Sequence, residues 1–293
     1  MDSRQLRYYV ALIEAGSYTK AAEQLHISQP SLSATIKKLE ESVGLSLIDR
    51  SSRNLRMTKE GEILYEEARR ILKHFYHVSE EMDRLKRQGP LEVSIGLIES
   101  TIFFVPKILK QFKQEYGQAK VSIMETLSLS DVEKALYNFD IHLAITNQNI
   151  HREDIETIPI YEEKLVTLLP PGHPLIKKPS ITIHDLEGES FIVCKEGFQT
   201  RQDILNAFNK AGVQPNIQFE IERFETSRSL VKEGLGITVV PENYVTHSNQ
   251  TDSVIKLFED HHISRTVYLA YVNNRYMPPI VKRFIQLVEE YFE

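Results

Sequence analysis

Gln29, Pro30, Ser31 and Ser33 open an apolar-striped segment within SYTKAAEQLHISQPSLSATIKKLE, residues 17–40, and Lys37 and Lys38 follow a turn or two later. Gln can pair bidentately with adenine in the major groove, and a Ser hydroxyl can serve a donor or an acceptor base edge. The two lysines suit phosphates. Thr19 and Thr58 stand near helix starts, where a hydroxyl and backbone N–H groups could meet a phosphate oxygen. Arg50, Arg53 and Arg56 follow in the alternating stretch LSLIDRSSRNLRMT, residues 45–58. That pattern predicts a short hairpin whose arginines would reach a nucleic-acid backbone or minor groove. The competing interpretation is a plain three-helix bundle with solvated lysines.

Helical spacing predicts helices over 4–15, 18–25 and 29–43. Gly16 and Gly44 close the first and third, and Ser17 and Ser28 are candidate N-caps. Pro30 is tolerated in a first helical turn, which has no use for its N–H. Helix, three-residue turn and helix make a helix-turn-helix, with the second helix entering the major groove N-terminus first. Thr58 caps a long predicted helix reaching residue 88, with Ile63, Leu64, Ile71, Leu72, Phe75, Val78, Met82 and Leu85 at apolar positions. About 30 helical residues span ~45 Å, more than a small domain needs, so this helix predicts a dimer, with packing on the chain's own domains as the competing arrangement. Beyond QGP at 88–90, strands and helices alternate. Predicted strands fall at 92–97, 121–127, 141–146, 164–170, 191–194, 217–222, 237–241 and 267–272, and predicted helices at 102–116, 131–137, 201–211, 226–233 and 279–292. The alternation predicts mostly parallel sheets, in two lobes because the pattern restarts near 164.

Composition narrows the class. The 293-residue chain carries a net charge of −6, yet residues 1–90 hold 15 basic and 13 acidic side chains, and the remaining 203 residues hold 20 and 28. The acidic excess belongs to the C-terminal part and leaves an N-terminal nucleic-acid module open. A single cysteine, Cys194, predicts an intracellular protein with no internal disulfide. No run of ~18 apolar residues predicts a membrane span, and the N-terminus has no signal-peptide pattern. The chain contains no G-x-S-x-G, H-E-x-x-H, P-loop or G-x-G-x-x-G signature, so an enzyme is not expected. Cys194 ends an apolar strand and reads as a buried thiol. The pairs His74/His77 and His261/His262 read as solvated rather than metal-binding, and no cofactor is expected.

LRYYVALIEAGSYTKAAEQLHISQPSLSATIKKLEESVGLSLIDRSSRNLRMTKEGE resembles the N-terminal domain of LysR-type transcriptional regulators. Ala21, Ala22, Leu25, the SQPSLS run, Leu39, Glu40, Gly44, Leu47, Arg50, Arg53, Leu55, Thr58 and Gly61 carry the likeness, and LLPPGHPL (168–175) and LVKEGLGITVVP (230–241) extend it more loosely. Many relatives carry a basic residue after SLS, whereas this chain has Ala34. That contact is absent here or moved to Thr35 or Lys37. The resemblance implies an α/β protein with an α-rich winged helix-turn-helix at 1–58, a linker and dimerisation helix at 59–90, and an effector domain at 91–293 like periplasmic binding proteins. Lobe I would comprise 91–163 plus 267–293, and lobe II 164–266. It also implies a cytoplasmic homodimer or homotetramer that binds double-stranded operator DNA and, if an activator, RNA polymerase.

In the resembling family the effector binds between the lobes, at the C-terminal ends of strands. The matching positions here are Ser100 and Thr101, Thr146, Phe198, Thr200 and Arg201, and Glu225 and Thr226. Helix N-termini favour anions, so a small carboxylate is the expected effector. Glu99 and Glu225 oppose it and leave an amine-bearing or zwitterionic ligand as the alternative. For Ser100, Thr101 and Thr200, ordinary helix capping is the competing role.

Overall fold

The computed structural model describes residues 1–49, 55–87, 91–246, 253–259 and 263–292, with the backbone alone at 77, 80, 81 and 83–87. Contacts divide the chain into two compact units, Met1–Gly89 and Pro90–Glu293.

In the first unit, α1 (Ser3–Ala15) starts from a capping box: Asp2 accepts the Gln5 N–H at 2.8 Å, and the Asp2 N–H donates to the Gln5 side chain at 2.9 Å. Ser17 precedes α2 (Tyr18–Gln24) in an extended conformation but makes no side-chain cap bond. The buried faces of Ala21 and Ala22 let α2 pack closely against its neighbours. Ser28 Oγ accepts the Ser31 N–H at 3.3 Å and caps α3 (Gln29–Val43), which Gly44 ends at φ 73°. Tyr9, Leu12, Leu32, Ile36, Leu39 and Leu47 form the fully buried centre of this unit. The 45–58 hairpin is anchored by an Ile48–Met57 antiparallel bridge and by the Asp49 N–H donating to Arg56 O at 2.8 Å. Glu40, at the end of α3, holds it from below by accepting the N–H groups of Leu47 (2.9 Å) and Ile48 (3.3 Å).

The long helix, α4 (Lys59–Arg87), is capped by Thr58 Oγ1, which accepts the Gly61 N–H at 3.0 Å. Gly61 is needed for close approach: a Cβ there would lie 2.2 Å from Leu47 O and 2.8 Å from Tyr9 Oη.

The second unit contains β1 (Glu92–Leu97), α5 (Val105–Glu115), β2 (Lys120–Glu125), α6 (Leu129–Tyr137), β3 (Leu143–Thr146), β4 (Ile155–Leu169), β5 (Ser190–Cys194), α7 (Gln199–Ala211), β6 (Asn216–Ile221), α8 (Phe224–Lys232), β7 (Ile237–Pro241), α9 (Glu242–Thr246), β8 (Val254–Leu257), β9 (Ser264–Val272) and α10 (Pro279–Phe292). Strand order is β2-β1-β3-β9-β4-β7-β5-β6, with β8 also on β4. The expected parallel arrangement holds only in part. β1 pairs β2 and β3 in parallel and β5 pairs β6 and β7 in parallel, but β3–β9, β4–β9, β4–β7 and β4–β8 are antiparallel. The reason is β4, a 15-residue strand that serves both lobes. It pairs with β9 as far as Lys164–Ser264, then with β7 and β8 from Leu165 onward. The change of partner thus falls one residue after the expected 163/164 border, and β9 begins three residues before the expected 267. Ile95, Phe104, Phe112 and Phe284 centre the core of lobe I, and Leu169, Phe191, Phe208 and Ile237 that of lobe II.

Two further expectations change. The helix expected from 102 starts at Val105, after a 3₁₀ turn, Glu99–Phe103. The strand expected at 164–170 begins at Ile155. Neither β8 nor α9 was expected.

Candidate DNA-reading face and effector cleft

Helix α3 has two faces. Leu32, Ile36 and Leu39 are buried, while Gln29, Pro30, Ser31, Ser33, Ala34, Lys37 and Lys38 are exposed in a row on the other side. Thr19 on α2 and Arg56 on the hairpin are exposed as well. Lys37 pairs with Glu41 at 3.8 Å, an exposed i,i+4 contact that contributes little and leaves the ammonium able to exchange partners. Two hydroxyls are committed elsewhere. Thr35 Oγ1 donates to Ser31 O at 2.9 Å, and Thr58 Oγ1 donates to Ser46 O at 2.7 Å while capping α4. Thr58 therefore holds the hairpin to α4 and has no hydroxyl proton left for a phosphate. Arg50 and Arg53 lie outside the described residues, as do His261, His262 and the His77 side chain.

In the second unit, a small cavity between the lobes is lined by residues including Ile98, Glu99, Asn147, Cys194, Phe198, Thr200, Phe224 and Arg265. The centre of the constellation is Arg265, 6% exposed. Its guanidinium donates to Glu163 Oε2 (2.9 and 2.8 Å), Ser100 Oγ (3.1 Å) and Thr200 Oγ1 (2.6 Å). Ser100 donates in turn to Glu163 Oε2 at 3.0 Å, and Asn147 Nδ2 to Thr200 Oγ1 at 3.4 Å. Glu163 and Arg265 are register partners on β4 and β9, one residue before the ladder changes lobes. The guanidinium thus joins lobe I, through Ser100, to lobe II, through Thr200.

The Glu99 carboxylate reaches from the 3₁₀ turn of lobe I to the first N–H of α8 in lobe II, with both oxygens 3.1–3.2 Å from Phe224 N. Burial pushes its carboxyl above the usual carboxylate range, while the Phe224 N–H and the Arg223 and Arg265 charges pull the other way. Burial also pushes the Cys194 thiol up to about 12, so it carries almost no thiolate at neutral pH.

Ser100, Thr200 and Phe198 therefore meet at the cleft. The other predicted residues do not. Thr101 Oγ1 donates to Ile98 O at 2.7 Å, a local cap. Thr146 Oγ1 accepts the Gln148 N–H at 3.1 Å. Arg201 ties α7 to Cys194 O (2.7 Å) and Glu220 (2.6 Å). Glu225 and Thr226 are exposed, and Glu225 accepts from Tyr244 Oη at 3.1 Å. Arg265 and Glu163 were not anticipated; the only signal in the sequence was a lone Arg entering an apolar strand.

A helix-turn-helix with a polar, exposed second helix and a two-lobed unit with a polar cleft together define a ligand-responsive DNA-binding regulator. Residues 3–62 match the model of the bacterial regulatory helix-turn-helix proteins of the lysR family, and residues 87–293 match that of the LysR substrate binding domain. The chain belongs to the LysR family of transcriptional regulators. It is 31% identical to the HTH-type transcriptional regulator AlsR of Bacillus subtilis, over 98% of this chain and 95% of that one. It is 29% identical to YybE, an uncharacterized HTH-type transcriptional regulator of the same species, over 100% and 99%. Among solved structures, full-length CbnR, a LysR family regulator also solved with its target DNA, superposes with a TM-score of 0.74 at 23% identity, over 100% of both chains. Full-length OxyR from Pseudomonas aeruginosa superposes with a TM-score of 0.67 at 26% identity, over 100% and 97%.

Proposed function

We propose that the exposed row of α3 reads operator DNA, with Gln29, Ser31 and Ser33 on base edges and Lys37, Lys38, Thr19 and Arg56 on phosphates. Arg50 and Arg53, which lie outside the described residues, are assigned to phosphates as well, from the sequence pattern alone. The supporting observation is the division of α3: every residue of the row is exposed while the core-facing stripe is buried. The CbnR–DNA complex is consistent with a helix-turn-helix used in this way.

The protein acts as a homodimer or homotetramer in the cytoplasm. Along α4, Leu64, Ala68, Ile71, Phe75, Val78, Met82 and Leu85 recur at alternating spacings of four and three, the seam of a coiled coil. Ile71, Phe75, Val78 and Met82 are 47%, 58%, 43% and 54% exposed, which supports a partner helix as their cover. A small carboxylate in the interlobe cleft, near Arg265, Thr200, Ser100 and the α8 N-terminus, shifts lobe closure and with it the spacing imposed on DNA. It does so only by binding one lobe arrangement better than the other. The cleft acts by binding, without cofactor or catalysis, and RNA polymerase is a partner if the protein activates.

The test is a gel shift with DNA taken from just upstream of the protein's own gene, against scrambled DNA, over a salt series. Tight binding to the first alone, falling steeply with salt, is expected. Equal, weak binding to both would reject it.

A further inference from the structure

The cavity around Glu99, Thr200 and Arg265 measures about 20 Å³, room for a single water, and it shares Phe198 and Glu222 with a wider opening between the lobes of about 500 Å³. The groups in the small cavity that could hold an anion are already used by the protein's own carboxylates. Glu163 takes the Arg265 guanidinium, and Glu99 takes the N-terminus of α8. These two carboxylates are not equivalent. Glu163 and Arg265 face each other across one strand pair, and their bond survives any motion of the lobes that keeps β4 and β9 together. Glu99 and Phe224 belong to opposite lobes, and their bond must break when the cleft opens. Arg223 and Glu125 form a further ionic contact between the lobes, but their side chains are exposed and it contributes little, while the Arg265 guanidinium also spans the lobes through Ser100 and Thr200.

We propose that Glu99 is a tethered occupant of the interlobe cleft, a specificity-determining carboxylate that holds the lobes shut on the α8 N-terminus until an anionic effector expels it. The latch follows from the contacts alone. The identity of the displacing group rests on the small-carboxylate effector proposed above. A carboxylate ligand and the Glu99 carboxylate exclude each other at the Phe224 N–H, since two anions cannot share one donor at contact distance. The cleft thereby accepts only ligands whose remaining contacts repay the expulsion.

The single cysteine is a reporter for the latch that needs no ligand. Cys194 is 4% exposed and lines the same cavity. In the full-length protein, iodoacetamide labelling of Cys194 is compared for wild type, Glu99→Ala, Glu99→Gln and the control Glu225→Gln. A hydrogen bond to a charged group contributes about 1.5–3 kcal/mol, so Glu99→Ala is expected to label about ten- to a hundredfold faster. Glu99→Gln, which keeps an acceptor, should fall between, and Glu225→Gln should match wild type. The faster labelling must be independent of low urea, as local opening is, rather than carry the slope of global unfolding. Equal rates in Glu99→Ala and wild type would overturn the latch.

Calorimetric titration with propionate, hexanoate and benzoate, and with hexylamine as the cationic control, then tests the exchange. Carboxylate binding about tenfold or more tighter in both Glu99 variants supports it. Carboxylates that bind wild type and variants equally would overturn the exchange and leave the carboxylate effector standing. Hexylamine binding that Glu99→Gln abolishes would overturn the carboxylate effector and make Glu99 a direct ligand contact. Failure of the carboxylates to bind either Glu99 variant would overturn the exchange and leave the labelling result to decide the latch.

Discussion

Replacing Glu163 by Leu strands the Arg265 guanidinium among two hydroxyls inside the protein. The pair's side chains are 0% and 4% exposed, so water does not rescue the charge. Removing one partner of such a pair costs about 3–5 kcal/mol, most of it for the uncompensated charge left behind. The second unit spans 204 residues, Pro90–Glu293, for which a urea m-value near the upper end of about 1–3 kcal/mol/M applies. The midpoint should therefore fall by roughly 1–2 M. Urea-dependent labelling of Cys194 reads this unit alone, because the chain has no other cysteine. Glu163→Leu with Arg265→Met removes both charges and should recover most of the loss, since a buried pair exchanged for apolar groups of similar volume is often close to neutral. A loss below about 1 kcal/mol in Glu163→Leu, or a double variant as unstable as the single, would refute the assignment of Arg265 as a buried charge dependent on Glu163.

Three further predictions concern other parts of the chain. Gly61→Ala pushes a methyl group against Leu47 O and Tyr9 Oη, and should lower the stability of the first unit by about 1–3 kcal/mol in thermal melts; an unchanged melt would show that the hairpin joint yields freely. Ile71→Asp with Phe75→Asp places charges in the α4 seam and should convert the assembly to monomers in sedimentation, whereas an unchanged mass would place the self-association elsewhere. The Cys194 thiol is raised by burial to about 12 from 9.0, so native labelling should climb through pH 10 without the plateau expected of a free thiol. Because its folded pKa lies above the unfolded one, its contribution to stability is complete below pH 9 and is lost as pH rises toward about 12.

What could be read from the sequence was local. Ser28, Pro30 and Gly44 fix both ends of α3 by chemistry within a few residues of each end, and the expected 29–43 coincides with Gln29–Val43. The apolar run ITVVP and the closing helix are equally self-contained. The first half of β4 was not legible. IETIPIYEE mixes charges with Pro159, its register shifts between Pro159 and Tyr161, and its ladder is supplied by β9 about a hundred residues away. The antiparallel pairings were hidden for the same reason, since alternation of strands and helices does not show that the chain crosses between lobes. In the cleft, Ser100 and Thr200 follow from the rule that ligands gather at strand ends. Arg265 does not, because its partners lie 65, 102 and 165 residues distant in the chain. Glu225 looked equivalent to Glu99 in sequence, yet only Glu99 faces inward. The helical phase of α8 buries Phe224 and Ser227 and turns Glu225 and Thr226 outward.

If the exposed row of α3 reads base edges while its lysines hold phosphates, one titration separates the two. Binding to the upstream DNA is measured across salt for wild type, Gln29→Ala with Ser33→Ala, and Lys37→Ala with Lys38→Ala. The first double variant should lose at least about 1–3 kcal/mol of preference over scrambled DNA and keep its salt slope. The second should weaken on both DNAs, with a slope shallower by up to about 2. If both variants keep the wild-type preference and slope, α3 is not the reading helix.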